Sequence, residues 1–337
     1  MARLGRVLLL AGPVAWVVGA NIAPLIEIVR VSLLDVFPAP PDHLAHYSLD
    51  SYAAFLDSPI YRASFWHSIA LSAVLTCLAL LLTYPLAYLI ALKIPARHRA
   101  RHLLLLIAPF WTSEIVRAFA MMLLLANHGP VNELIRWLGT AKAPLPLLYN
   151  QFSVGFGMLY AVLLAMLLPL YAALSRLPTE MLQAAANLGA GPWTRLVRVT
   201  LPLTRDGIAA GCALVFLTSL GAFAVPTLLG GADTTLFSMT VGSIFASSAG
   251  RWPMGAAFGL ILLLSGLGAS GVIMRMSLRH RRRDEPAQRS ARILLVRRRL
   301  AVPATCADRA DEHHRLACRR VPDHAFDGPL VPRRARR

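Results

Sequence analysis

The residues best suited to chemistry in this chain lie between positions 178 and 202: Pro178-Thr179-Glu180, Gln183-Ala184-Ala185, Gly189, Val199 and Leu201-Pro202. At that spacing they make no nucleophile, metal cage or proton relay. They suit a surface that another protein grips. Pro178 and Thr179 start a short helix, Glu180 lies where the N-terminal dipole favours a carboxylate, and Gly189 ends the helix with a sharp turn. Ala184 and Ala185 keep one face small, so a partner can approach the backbone closely. Leu201-Pro202 is expected to end a second short helix, because proline lacks a backbone donor. Taken alone, Ala-Ala plus Gly also fits an ordinary amphipathic loop helix.

Two charged pairs, Glu27/Arg30 and Glu114/Arg117, repeat the i,i+3 spacing inside apolar stretches. Charge in such surroundings is costly, so each pair either neutralises itself or faces a polar cavity. In a cavity, Glu114 or Glu27 would supply the counter-charge that an ammonium leaving water requires. Phe110 and Trp111, beside Glu114, either add cation–π contacts or anchor a helix at a membrane interface. Cys77, Cys212, Cys306 and Cys318 are too scattered for a disulfide framework. Cys306, His313, His314, Cys318 and His324 fit no common zinc spacing, so no metal site is expected. The chain contains no G-x-x-x-x-G-K-[ST] loop to cradle ATP phosphates.

The elements that must position these groups are membrane helices. Apolar residues reach 56%, charged residues only 15%, and mean hydropathy is +0.57, against about 45–50% and about 25% in soluble domains. The formal charge of +17 and pI near 11.0 invite a nucleic-acid reading, but the basic residues before position 279 sit in particular loops, as a bilayer requires, so no nucleic-acid partner is expected. Six segments have the length to cross: Val7 to Val31, Phe65 to Leu92, Leu103 to Ala126, Phe152 to Leu174, Gly207 to Leu229, and Met254 to Leu278. Backbone groups in lipid must be satisfied internally, so all six are expected as helices. The first resembles a signal peptide in its Arg3, Arg6 and apolar run, but its length and the lack of a small-residue cleavage site favour a retained helix. The fold class is therefore all-α, with six spans and a short helix between the fourth and fifth.

Lys and Arg concentrate on one side. Arg3 and Arg6 precede the first span, Lys93, Arg97, Arg99 and Arg101 follow the second, and Arg176, Arg195, Arg198 and Arg205 flank Gln183. Arg275, Arg279 and Arg281 to Arg283 mark the end of the sixth, whereas the alternate loops hold only Arg62, Arg136, Lys142 and Arg251. This places both termini and the Gln183 loop in the cytoplasm. The first outer loop, with Asp35, Asp42, Asp50, Asp57 and the run Pro38 to Pro41, reads as a solvated turn or as a docking surface for an external partner. Pro85, Pro109, Pro169 and Pro226 either kink their spans or are tolerated where neighbours satisfy the freed carbonyls.

The order Gln-Ala-Ala, three residues, Gly, nine residues, Val, one residue, Leu-Pro resembles the EAA loop of the membrane subunits of ABC importers. Pro109 to Ser113 with Arg117, Leu201 to Thr204, Gly207 to Cys212, Gly230-Gly231 and Trp252 to Ala257 are similar to segments of spermidine/putrescine-type permeases. The similarity spans about residues 5 to 285, and permeases for other small solutes share much of it. It implies a multi-pass inner-membrane permease domain over residues 1–283. Glu180, Gln183, Ala184, Ala185, Gly189, Val199, Leu201 and Pro202 would form its ATPase-coupling surface. Implied partners are a second permease subunit, two cytoplasmic ATP-binding subunits and a periplasmic or extracellular substrate-binding protein. This chain would bind no cofactor and would not be an enzyme, ATP being used by the partner. Trp111, Glu114 and Arg117 are candidates for the substrate path, with polyamines or a related small solute as cargo. The family carries Glu where Gln183 stands; Glu180, at i−3, offers acidity on the same face.

Two other classes compete: an autonomous secondary transporter or channel, and a structural scaffold. The sparse intramembrane charge and the docking loop argue against the first. Residues 284–337 extend past the point where similar permeases finish, and they lack an apolar rhythm. They read as a basic, disordered cytoplasmic extension near anionic lipid, or as a stretch translated out of frame.

Overall fold

A computed structural model describes residues 2–38, 46–139, 143–231, 233–247 and 249–277. The expected tail over 284–337, the loop residues Ala39, Pro40, Pro41 and Asp42, and Lys142 lie outside them. The described residues fold into helices, and one β-bridge, Leu34 to Tyr47, is present among them.

The chain runs α1 (Ala2–Ser32), α2 (Asp50–Asp57), α3 (Pro59–Tyr88), α4 (Ala96–Ile107), α5 (Glu114–Leu125) and α6 (Pro130–Trp137). It continues through α7 (Gln151–Ser175), α8 (Thr179–Asn187), α9 (Pro192–Arg195), α10 (Leu201–Leu220), α11 (Ala224–Leu229), α12 (Phe237–Ser247) and α13 (Trp252–Ser277). Among the described residues, four rods are long and apolar enough to cross a membrane: Pro59–Lys93, Gln151–Ser175, Pro192–Leu220 and Trp252–Ser277. A bent pair, Ala96–Trp111 with Glu114–Trp137, makes a fifth if counted as one span. Helix α1 has 31 residues, about 46 Å at 1.5 Å per residue.

Three expectations are corrected, each at a proline. The third segment, Leu103 to Ala126, is not one helix. It tightens into a 3₁₀ turn over Ala108–Trp111 around Pro109, extends at Thr112 and Ser113, and restarts at Glu114 with an 89° bend. The fifth segment does not run from Gly207 to Leu229, because α10 stops at Leu220. Pro226 cannot donate to the Ala222 carbonyl four residues back; that carbonyl instead accepts from the Ser238 hydroxyl at 2.6 Å, and α11 forms separately. Leu201-Pro202 does not end a helix. A π turn over Leu196–Thr200, closed by the Leu201 N–H to the Leu196 carbonyl, widens the rod just before the Pro202 ring, so α9 continues into α10. A similar π turn, Leu89–Lys93, follows Pro85 at the end of α3.

The core forms where α3, α7 and α10 meet, around Ala79, Ala87, Met166, Leu170, Leu174 and Val215. Small residues set the spacing. A Cβ on Gly207 would overlap the Ala173 methyl and lie 2.8 Å from the Pro169 carbonyl oxygen; one on Gly211 would lie 2.7 Å from Met166 Sδ. Two glycines at i,i+4 thus let α10 touch the α7 backbone, the close approach that small-residue stripes permit between membrane helices. A second cluster packs Phe55, Phe65, Phe237 and Phe258, four of the pairs edge to face. Beneath it the Phe237 N–H donates to Ser68 Oγ at 2.7 Å.

The start of α7 is locked. Asn150 and Ser153 form a reciprocal capping box, and the Ser153 hydroxyl also bonds the Leu229 carbonyl at 2.8 Å. This ties α7 to the end of α11, and so holds α11 in place after the break at Gly221.

Candidate functional site

The Gln183 loop projects from the helix ends. None of the residues of α8 is buried, and the helix packs mainly against α9 and the π turn that follows. Glu180, Gln183, Ala184, Leu201 and Pro202 are exposed, and Ala185 and Val199 half-buried. Its end is a Schellman turn: the Gly189 N–H bonds the Ala186 carbonyl at 2.9 Å and the Ala190 N–H bonds the Ala185 carbonyl at 3.0 Å. Gly189 has φ +79°, with no atom within 4 Å of where a Cβ would stand. Its role is conformational, since a Cβ would be strained by the backbone and not by a neighbour. Met181, Leu188, Trp193 and Val197 leave a largely uncovered apolar surface on the loop, with Leu188 88% and Trp193 74% exposed. Loop hydrophobics of this kind mark contact surfaces, and the sequence reading passed over them for the polar motif.

The root of the loop is held by side chains. Thr200 Oγ1 donates to the Arg195 carbonyl, Thr204 Oγ1 to the Thr200 carbonyl at 2.9 Å, and Thr204 Oγ1 lies 3.3 Å from the Tyr84 hydroxyl of α3. The Ser277 hydroxyl donates to Asp206 Oδ1 at 2.8 Å, joining α13 to α10. Short polar contacts thus link the root of the loop to α3 and, through α10, to α13.

The charged pairs part company. Glu27 and Arg30 form an exposed ion pair at 3.5 Å. Glu114 and Arg117 do not pair with each other or with another charge among the described residues; both line a cavity of about 550 Å³. Its other walls come from α7 (Met158, Ala161, Val162, Ala165), the end of α10 (Leu217, Thr218), the break at Gly221 to Phe223, and α11 (Ala224, Val225). The Arg117 guanidinium lies 4.7 Å above the Phe110 ring, which stacks on Tyr160 at 5.9 Å. Glu114 is exposed and Arg117 half-buried. Trp111 is 85% exposed and does not line the cavity. Sequence reasoning missed Thr218 and Phe223; the available signal was Gly221 followed by Pro226, which forces the break that opens the space.

Residues 13–283 match the family model described as the binding-protein-dependent transport system inner membrane component. The chain belongs to this family. The permease is 35% identical over 251 residues to the spermidine/putrescine transport system permease protein PotB of Salmonella typhimurium, covering 74% of this chain and 86% of that protein. It is 31% identical over 272 residues to the inner membrane ABC transporter permease protein YdcU of Escherichia coli, covering 77% and 86%. A solved bacterial alginate ABC transporter, in complex with alginate pentasaccharide-bound periplasmic protein, shares its fold with TM-score 0.57 over 82% of this chain and 96% of that chain, at 16% identity. The permease is an all-helical, multi-pass inner-membrane subunit of an ABC importer.

Proposed function

We propose that the permease carries polyamines, or a closely related small organic cation, and that α8 is the helix through which a cytoplasmic ATPase drives it. The observation that carries the coupling reading is the geometry of α8: an accessible short helix with small residues on one face, a Schellman end at Gly189, and an apolar rim of Leu188 and Trp193. The polyamine reading is supported by the 35% identity with PotB and by a carboxylate, Glu114, in a cavity among the long helices.

On this reading residues 1–283 are the permease domain, with spans formed by α1, α3, the bent pair α4 to α6, α7, α9–α10 and α13. Residues 284–337 are a basic cytoplasmic extension. The Lys and Arg distribution supports cytoplasmic termini and a cytoplasmic Gln183 loop. A second permease subunit, two ATP-binding subunits and an external binding protein complete the transporter, and ATP is bound and hydrolysed by the partner subunits. Closure of those subunits pulls α8, and the Thr204 to Tyr84 and Asp206 to Ser277 links pass that motion to α3 and α13, switching access between the two sides.

Reconstitution of the complete transporter in proteoliposomes, with and without the ATP-binding subunits, tests the coupling. Uptake of labelled spermidine only in their presence is the expected result; uptake by this chain alone would identify an autonomous transporter or channel. The ligand retained by the partner binding protein tests the cargo, and retention of a solute with no amine would reject the polyamine reading.

A further inference from the structure

Arg117 and Glu114 share a cavity and leave each other unsatisfied. Nε and Nη1 of Arg117 are buried without a hydrogen-bond partner, and the Glu114 carboxylate has no ion-pair partner among the described residues. Buried polar atoms without partners are rare enough in folded proteins to require a cause. Here the guanidinium lies 4.7 Å from the Phe110 ring, which is itself braced by Tyr160, while Glu114 is exposed. Phe110 belongs to the 3₁₀ turn before the 89° bend and Glu114 opens the helix after it, so the bend sets the ring against Arg117, one helical turn from the carboxylate.

We propose that Glu114 receives an ammonium group of the passing solute, and that Phe110 sets the affinity of this seat by holding Arg117 off the carboxylate. Arg117 is then a tethered competitor. Parked on the aromatic face, it leaves Glu114 open to a mobile cation; released, it collapses onto Glu114 one helical turn away and fills the seat. The walls suit the alkyl portion of such a solute, since Ala161, Val162, Leu217 and Val225 are apolar and Thr218 adds one hydroxyl. The inference rests on the polyamine reading above and adds to it a residue that tunes specificity without touching the ammonium.

The test is the kinetics of labelled spermidine and putrescine uptake by the complete reconstituted transporter. Glu114→Gln raises KM about tenfold, the loss of the carboxylate that lines the cavity. Phe110→Leu raises KM about fivefold with kcat little changed, the size of one lost cation–π restraint. The double variant Phe110→Leu with Arg117→Met returns KM to the wild-type value or below, because the competitor is gone; a merely structural defect at Phe110 would not be repaired by a second substitution. A wild-type KM for Phe110→Leu, or failure of the double variant to recover, overturns the role of Phe110 while leaving the polyamine reading intact. A wild-type transporter that carries neither amine overturns both.

Discussion

In the Gln183 loop the candidate side chains are exposed or half-buried, and the fold constrains little beyond the backbone of one short helix and its glycine turn. Around Glu114, itself exposed, and the half-buried Arg117, four elements converge: α5, α7, α10 and α11 all line the same cavity. The loop's candidate residues are contiguous in sequence, between positions 178 and 202. The cavity's walls come from segments more than a hundred residues apart. On the function proposed above, the exposed surface should tolerate changes of side chain and not of backbone, and the cavity should be sensitive to both.

The largest expected effect tests the backbone side of this contrast. Gly189→Val places a β-branched residue at φ +79°, where even an ordinary residue costs about 1–2 kcal/mol. ATP-coupled uptake should be lost while membrane insertion, followed by alkaline extraction, is unchanged, because no neighbour occupies the Cβ position. Gly189→Asn, better suited to that conformation, should retain most uptake; equal loss in both would mean the site is sterically filled by the partner.

Next comes the packing behind the cavity. Gly207→Leu drives side-chain atoms into Ala173 and the Pro169 carbonyl and should destabilise the protein by about 1–3 kcal/mol, seen as a lowered Tm in detergent. Gly211→Ala should cost less, since its obstacle is the flexible end of Met166. An equal effect would show that the α7 and α10 contact does not depend on the backbone approach at Gly207.

Ser153→Ala removes a hydroxyl that bonds both the Asn150 and Leu229 carbonyls, for an expected loss of about 1–2 kcal/mol in thermal unfolding. Because those bonds fix α11, uptake KM should also rise, and a stability change with no KM change would separate the α11 wall from solute binding. The smallest effect belongs to the loop surface. Gln183→Glu restores the acid common in the family on an exposed position and should change uptake less than about twofold, in keeping with the modest worth of exposed charges.

Much of the loop is legible in the sequence alone. Pro178, Thr179, Glu180 and Gly189 marked a helix that runs from Thr179 to Asn187, because capping and turn chemistry act within a few residues of themselves. The reading of Leu201-Pro202 as a stop was wrong for a reason of the same range: a five-residue π turn widens the helix ahead of the ring, and propensity alone does not announce it. Apolar length located α3, α7 and α13 well, yet it drew the third and fifth segments through Pro109 and Pro226 as single helices.

The amino-acid sequence by itself determined the class of molecule, the helical character of its spans and the chemistry of the Gln183 loop, since each follows from hydropathy over a window or from residues adjacent in the chain. Only the tertiary structure decided which charges pair. Glu27/Arg30 and Glu114/Arg117 have identical spacing, but one pair meets, while in the other the arginine lies against an aromatic ring that a bend brings to its side. Spacing along a helix says which groups can reach each other; what else competes for them depends on how the rest of the chain is packed.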